Sequence, residues 1–140
     1  MNEFVLDCSI AVAWLFEDEA TAQTDELLEQ LKDSQAFVPN LWHLELGNVL
    51  IQAERRKRIT ATQISARLEL FSHLPIVTDT ETDSRAFREI LLLARTETLT
   101  TYDAAYLELV IRRGIPLATQ NKALIRVANR IQVQLLPKTR

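Results

Sequence analysis

Asp7, Glu45 and Asp103 stand where a charge would be expensive to bury. Asp7 closes the apolar run Phe4-Val5-Leu6. Glu45 lies within the apolar stretch 41–50, and Asp103 opens the segment Ala104-Ala105-Tyr106-Leu107. A carboxylate near a core needs hydrogen bonds, an opposite charge or a metal. Brought to one pocket, with few His or Cys residues in the chain, three carboxylates suit a hard, oxygen-seeking cation such as Mg²⁺ or Mn²⁺. The chemistry such a site could do is metal-assisted attack on a phosphodiester.

Each acid also has a plain structural use. Asp7 is a good residue type for capping the helix that follows it. Glu45, Asn48 and Gln52 share one helix face at i, i+3 and i+7, which is either an exposed edge or the wall of a polar pocket. Thr100-Thr101-Tyr102-Asp103 fits the capping-box pattern, and a helix N-terminus favours a carboxylate in any case. Other chemistries fit less well. His43-Leu44-Glu45 has the shape of a zinc-deaminase motif, but no P-C-x-x-C follows. His43 and His73 are too few for a zinc site. Cys8 reads as a small core residue, and Ser9 is not in a nucleophile elbow.

The elements that must position these acids alternate between strand and helix. Short strands are expected at 4–7, 36–38, 76–77, 115–118 and 133–136. Helices are expected at 9–16 with Ser9 as its cap, 20–32, 41–56, 61–71, 79–95, 102–113 and 122–128, with Gly114 ending the helix before it. That order predicts an α/β fold with a mainly parallel central sheet flanked by helices. Ligands of such sheets bind beyond the carboxyl ends of the strands, where Asp7 falls. The chain has only two glycines, Gly47 and Gly114, so the glycine-rich phosphate loops are absent. No repeat, low-complexity stretch or linker divides it, and a single domain over 1–140 is expected.

Composition narrows the class. The 140 residues are 47% hydrophobic and 25% charged, ordinary values for a globular protein. No apolar run could span a bilayer and the start lacks a signal peptide's basic residues, so a cytoplasmic protein with no membrane partner is expected. One cysteine excludes a disulfide framework. The net charge of -3 hides an asymmetry: residues 1–50 hold ten acids and one base, whereas residues 51–140 hold nine acids and fifteen bases. Arg55-Arg56-Lys57-Arg58 and the group Arg112, Arg113, Arg126 and Arg130 are candidates to collect phosphates, with solvated helix ends as the alternative. Trp14-Leu15-Phe16, followed by Glu17-Asp18-Glu19, reads either as a partner's docking surface or as a buried helix end.

As a whole the sequence resembles the PIN-domain proteins, specifically the VapC-type toxin ribonucleases of toxin–antitoxin pairs. The resemblance runs through Phe4-Val5-Leu6-Asp7-Cys8-Ser9, Glu45-Leu46-Gly47-Asn48-Val49-Leu50, Thr100-Thr101-Tyr102-Asp103-Ala104-Ala105-Tyr106 and Ile115-Pro116-Leu117-Ala118-Thr119-Gln120-Asn121. It implies a PIN-like fold and a divalent-metal-dependent endoribonuclease acting on RNA. It also implies a homodimer held silent by a cognate antitoxin. Asp7, Glu45 and Asp103 match the family's acidic cluster, with Asp7 and Asp103 as metal ligands. Ser9, Asn48 and Thr119 match polar positions beside it. The pattern departs at Asn121, where the family often has an acid. Asparagine brings no charge, which favours one Mg²⁺ over two and leaves open a domain that binds RNA or protein without cutting. Asn121 could equally be a helix cap.

Overall fold

Phe4, Val5 and Leu6 form a strand with no exposed residue, as a strand covered on both faces requires. The computed structural model describes residues 2–138. In it this strand, β1 (Phe4–Leu6), is the centre of a sheet completed by β2 (Ala36–Val38), β3 (Ile76–Thr78), β4 (Leu117–Ala118) and β5 (Leu135–Leu136). The order is β3-β2-β1-β4-β5, and every neighbouring pair is parallel. This is the α/β architecture with a parallel sheet expected from the sequence. The chain winds outward from β1 to β3, then returns to the other side of β1. The crevice between β1 and β4 is therefore the switch point at which such sheets hold ligands. Leu6 pairs with Ala118, so Asp7 and Thr119 emerge side by side at its mouth.

The connections are helical. α1 (Cys8–Leu15), a short 3₁₀ turn and α2 (Ala22–Leu31) link β1 to β2, and α3 (Trp42–Arg55) with α4 (Ala61–Phe71) leads to β3. α5 (Thr82–Arg85), α6 (Leu91–Glu97) and α7 (Thr101–Arg113) precede β4, and α8 (Lys122–Arg130) precedes β5. Thr21 and Thr60 each close a reciprocal capping box, which fixes where α2 and α4 begin. Gly114 ends α7 at φ 64°, a left-handed conformation that suits a residue without Cβ. The main core gathers the strands with Ile10, Leu31, Tyr106, Leu107, Leu124 and their neighbours.

Two expectations are corrected, and one open alternative is decided. Ser9 is not a cap: Asp7 occupies the N-cap position of α1, and Ser9 lies inside the helix. The segment 79–95 is not one helix. Asp79 lies before it, and a π-helical turn, Ala86–Ile90, separates α5 from α6. The extra residue of that turn breaks the 3.6 period and leaves Phe87 89% exposed. Finally, Trp14-Leu15-Phe16 is the buried helix end rather than a docking surface. Leu15 and Phe16 are each 3% exposed, the Trp14 indole N–H donates to the Thr24 carbonyl, and Arg58 covers the Phe16 ring.

Candidate active site

Four helix N-termini point their first turns at the β1–β4 crevice. Asp7 is the N-cap of α1, Glu45 lies in the first turn of α3, Asp103 in the first turn of α7, and Asn121 is the N-cap of α8. The positive end of each helix dipole favours a carboxylate by about 0.3–1 kcal/mol, which eases the clustering of like charges.

Every acid is then held by neutral donors. The Ser9 and Thr119 hydroxyls donate to Asp7 Oδ2 at 2.6 and 2.8 Å, so both bonds fall on one oxygen. Ser9 Oγ also accepts the Gln120 N–H at 2.8 Å, and Thr119 Oγ1 accepts the Asn121 N–H at 2.9 Å. These bonds stitch the turn after β1 to the turn after β4. The Tyr106 hydroxyl, from a ring with no exposed surface, donates to Glu45 Oε1. The Asn121 amide donates to Asp103 Oδ1 at 3.4 Å while its own Oδ1 accepts from the N–H groups of Ala123 and Leu124. Asn121 is thus both a helix cap and a neighbour of the acids. Thr100 accepts the Asp103 N–H, but the Asp103 carboxylate does not complete the box.

The electrostatics are those of crowded, half-desolvated carboxylates. Burial pushes the Asp7 carboxyl above its ordinary range, against the pull of the Ser9 and Thr119 hydroxyls. Burial raises Glu45 too, opposed by the Tyr106 hydroxyl and helped by the charges of Asp7 and Asp103. Asp103 is raised by burial and then by Asp7. The Cys8 thiol is pushed up to about 12, chiefly by burial, which makes it inert.

Elsewhere the chain neutralises its buried acids with a cation. Arg112 binds both oxygens of Asp79 at 2.9 Å and reaches Glu108 at 2.9 and 3.0 Å. Among the described residues, no salt bridge involves Asp7, Glu45 or Asp103. No three His, Cys, Asp or Glu side chains among those residues form a ready-made metal cage. The donor set still fits Mg²⁺ or Mn²⁺: carboxylates only, mutually repelling and without a counter-charge. Mg²⁺ keeps several waters and needs one or two carboxylates rather than a closed cage.

The sequence profile of the PIN domain matches residues 4–130. The chain belongs to the PIN domain family. Among solved structures it is similar to PAE2754 from Pyrobaculum aerophilum, with 25% identity over 89% of this chain and 78% of that one, at a TM-score of 0.67. It is also similar to VapBC2 from Rickettsia felis bound to a DNA fragment from their promoter, with 19% identity over 95% of this chain and 96% of that one, at a TM-score of 0.67. None of the curated proteins matches the sequence.

In this PIN domain Ser9, Thr119 and Asn121 touch the acids, whereas Asn48 is exposed and makes none of the bonds that tie the cluster together. Sequence reading missed Tyr106 as a partner of Glu45. Its signal was a hydroxyl one helical turn after Asp103 in an otherwise apolar face. Tyr106→Phe removes that donor from a half-buried carboxylate. It is expected to lower stability by about 1 kcal/mol and to raise the Glu45 pKa further, as read by urea melts and carboxyl NMR titration.

Asn121→Asp keeps the capping oxygen but replaces the donor amide with an oxygen facing Asp103. The metal-free PIN domain should therefore melt at a lower temperature, while less Mg²⁺ should be needed for half-saturation, since hard cations respond to ligand charge. Thermal melts and titration calorimetry check the pair; unchanged values in both would remove Asn121 from the site.

Proposed function

We propose that this PIN domain is a VapC-type toxin: a divalent-metal-dependent endoribonuclease that hydrolyses RNA phosphodiester bonds and is restrained by an antitoxin. The observation that carries the reading is the contrast between two acid groups in one small protein. Asp79 and Glu108 are neutralised by Arg112, whereas Asp7, Glu45 and Asp103 have only hydroxyl and amide partners. A cluster of partly buried carboxylates left without a cation is what a site for a mobile cation needs.

Asp7 and Asp103 would hold Mg²⁺ or Mn²⁺, with Glu45 beside them. When bound, the ion supplies charge neutralisation and Lewis acidity at the phosphate. Ser9 and Thr119 keep Asp7 in one orientation by binding Oδ2. Glu45, with Oε1 held by Tyr106, would take the proton of the attacking water at Oε2, and its raised pKa makes it a stronger base than an ordinary carboxylate. Burial of Asp7 and Thr119 keeps bulk water away from one side of the reacting groups.

No helix among the described residues is long and apolar enough to cross a membrane. A cytoplasmic site of action follows from the ribonuclease reading. An apolar groove of about 320 Å³, lined by residues such as Trp42, Leu46, Leu50, Leu68 and Phe71, would take an apolar segment of the antitoxin. Leu44, Phe87 and Leu92, which are 80%, 89% and 61% exposed, would be covered in a homodimer. A second reading, a PIN domain that binds RNA without cutting it, draws on the uncharged Asn121. Brief expression of the free protein followed by sequencing of cellular RNA ends separates them. New ends at a defined set of sites, absent for Asp103→Asn, support the toxin; no new ends support the binding module.

A further inference from the structure

α8 leaves the acid cluster with a face whose charged side chains are all cations. The helix buries Leu124, Val127 and Ala128 and exposes Lys122, Arg126 and Arg130 at four-residue spacing, in one stripe along its length. Arg130 is paired with Glu97. Among the described residues Lys122 and Arg126 form no ion pair.

Lys122 is the more telling of the two. It is the first residue of α8, where the helix dipole disfavours a cation, and no acid in the first turn offsets it. The residue before it, Asn121, donates to Asp103, so the stripe begins at the acids themselves.

Most of the other basic candidates are already engaged. Arg112 is bound to Asp79 and Glu108, Arg113 lies over the Phe37 ring at 3.9 Å, and Arg58 is paired with Asp18 and Glu19. Arg55, Arg56 and Lys57 lie at and just beyond the far end of α3, ~15 Å or more along its axis from Glu45.

We propose that Lys122 and Arg126 form a phosphate track that carries the RNA backbone from the acid cluster along α8, a reading that rests on the ribonuclease assignment. Cations on phosphates give affinity without sequence preference and a steep dependence on salt.

The test measures fluorescence anisotropy of a short, mixed-sequence, fluorescein-labelled single-stranded RNA in EDTA, where metal-dependent cutting cannot interfere, across a series of salt concentrations. Lys122→Gln and Arg126→Gln should each lower the slope of log affinity against log salt by about 0.7, and the double variant by about 1.4. Arg88→Gln, on the π-helical turn, should leave it unchanged. Both track residues are exposed, so the variants should melt like the parent.

An unchanged slope in the double variant overturns the track. So does a loss that appears in Arg56→Gln instead, or an unmodified protein that binds no RNA. Cleavage is scored separately with Mn²⁺. Cleavage with unchanged slopes strikes the track alone; lowered slopes with no cleavage strike the ribonuclease reading and leave the track standing.

Discussion

Asp7→Asn should abolish metal-dependent RNA cleavage and at the same time make the metal-free protein more stable at neutral pH. Loss of a residue that merely supports a metal ligand costs roughly 10–100-fold, so loss of Asp7, a proposed ligand, should exceed that. Stability moves the other way because Asp7 is 4% exposed, has no cation partner and has a raised pKa. A carboxyl whose folded pKa exceeds its unfolded value binds more protons when folded. Its contribution to stability is therefore largest at acid pH and falls as pH rises from about the ordinary carboxylate range, 3.8, through the raised value. The asparagine of the Asp7→Asn variant would keep both hydroxyl bonds on its carbonyl oxygen and carry no charge. Thermal melts against pH should show a flatter profile for Asp7→Asn than for the parent, and a higher midpoint near neutrality without metal. Saturating Mg²⁺ should stabilise the parent more than the variant. A variant that is inactive because it has unfolded would lack that stabilisation, so the melts separate the two causes.

Much of this arrangement was legible in the sequence because it follows from local rules. The unbroken apolar run at 4–6 marks a doubly covered strand, and the acid after it falls at a strand's carboxyl end. Thr60, Thr100 and Gly114 mark helix boundaries that the fold uses. What local rules could not supply was pairing. Asp7, Asp79 and Asp103 each look like helix-start residues. Only the three-dimensional partners separate them: Arg112 across the fold for Asp79, hydroxyls for Asp7, an asparagine for Asp103. The same limit hid the partners of Arg112 and Arg113, since nothing in that pair reveals that one is half-sunk in an ion cluster and the other lies on a ring. The break at Ala86–Ile90 was hidden because a π-helical turn keeps helical composition while shifting the face by one residue.

Arg112→Met should be the most destabilising single change outside the apolar core. The Asp79 and Glu108 side chains are 3% and 6% exposed, and Arg112 bridges them across β3 and α7. Removing the guanidinium leaves Asp79 buried without a cation and Glu108 with only Arg85, 3.6 Å away, which costs about 3–5 kcal/mol and should lower the melting temperature by about 10 °C. The Arg112 hydrogen bonds hold the Asp79 carboxyl below its usual range. The stability that this bond contributes is therefore present above the ordinary carboxylate pKa and is lost as pH falls through the depressed one, opposite in sign to Asp7. Adding Asp79→Asn and Glu108→Gln to Arg112→Met should recover much of the loss, because the cost lies in the stranded charges rather than in the missing attraction. Melts of the single and triple variants check this. A triple variant no more stable than the single would mean that Arg112 acts by packing.

The most direct test is a cleavage assay on purified, partner-free protein, run side by side for the parent and Asp7→Asn as Mn²⁺ is titrated from an EDTA baseline. The acid cluster predicts no RNA cleavage in EDTA, cleavage by the parent that saturates with Mn²⁺, and none by Asp7→Asn at any concentration. Cleavage that persists in EDTA, or that Asp7→Asn retains in full, would contradict a metal-dependent site built on Asp7.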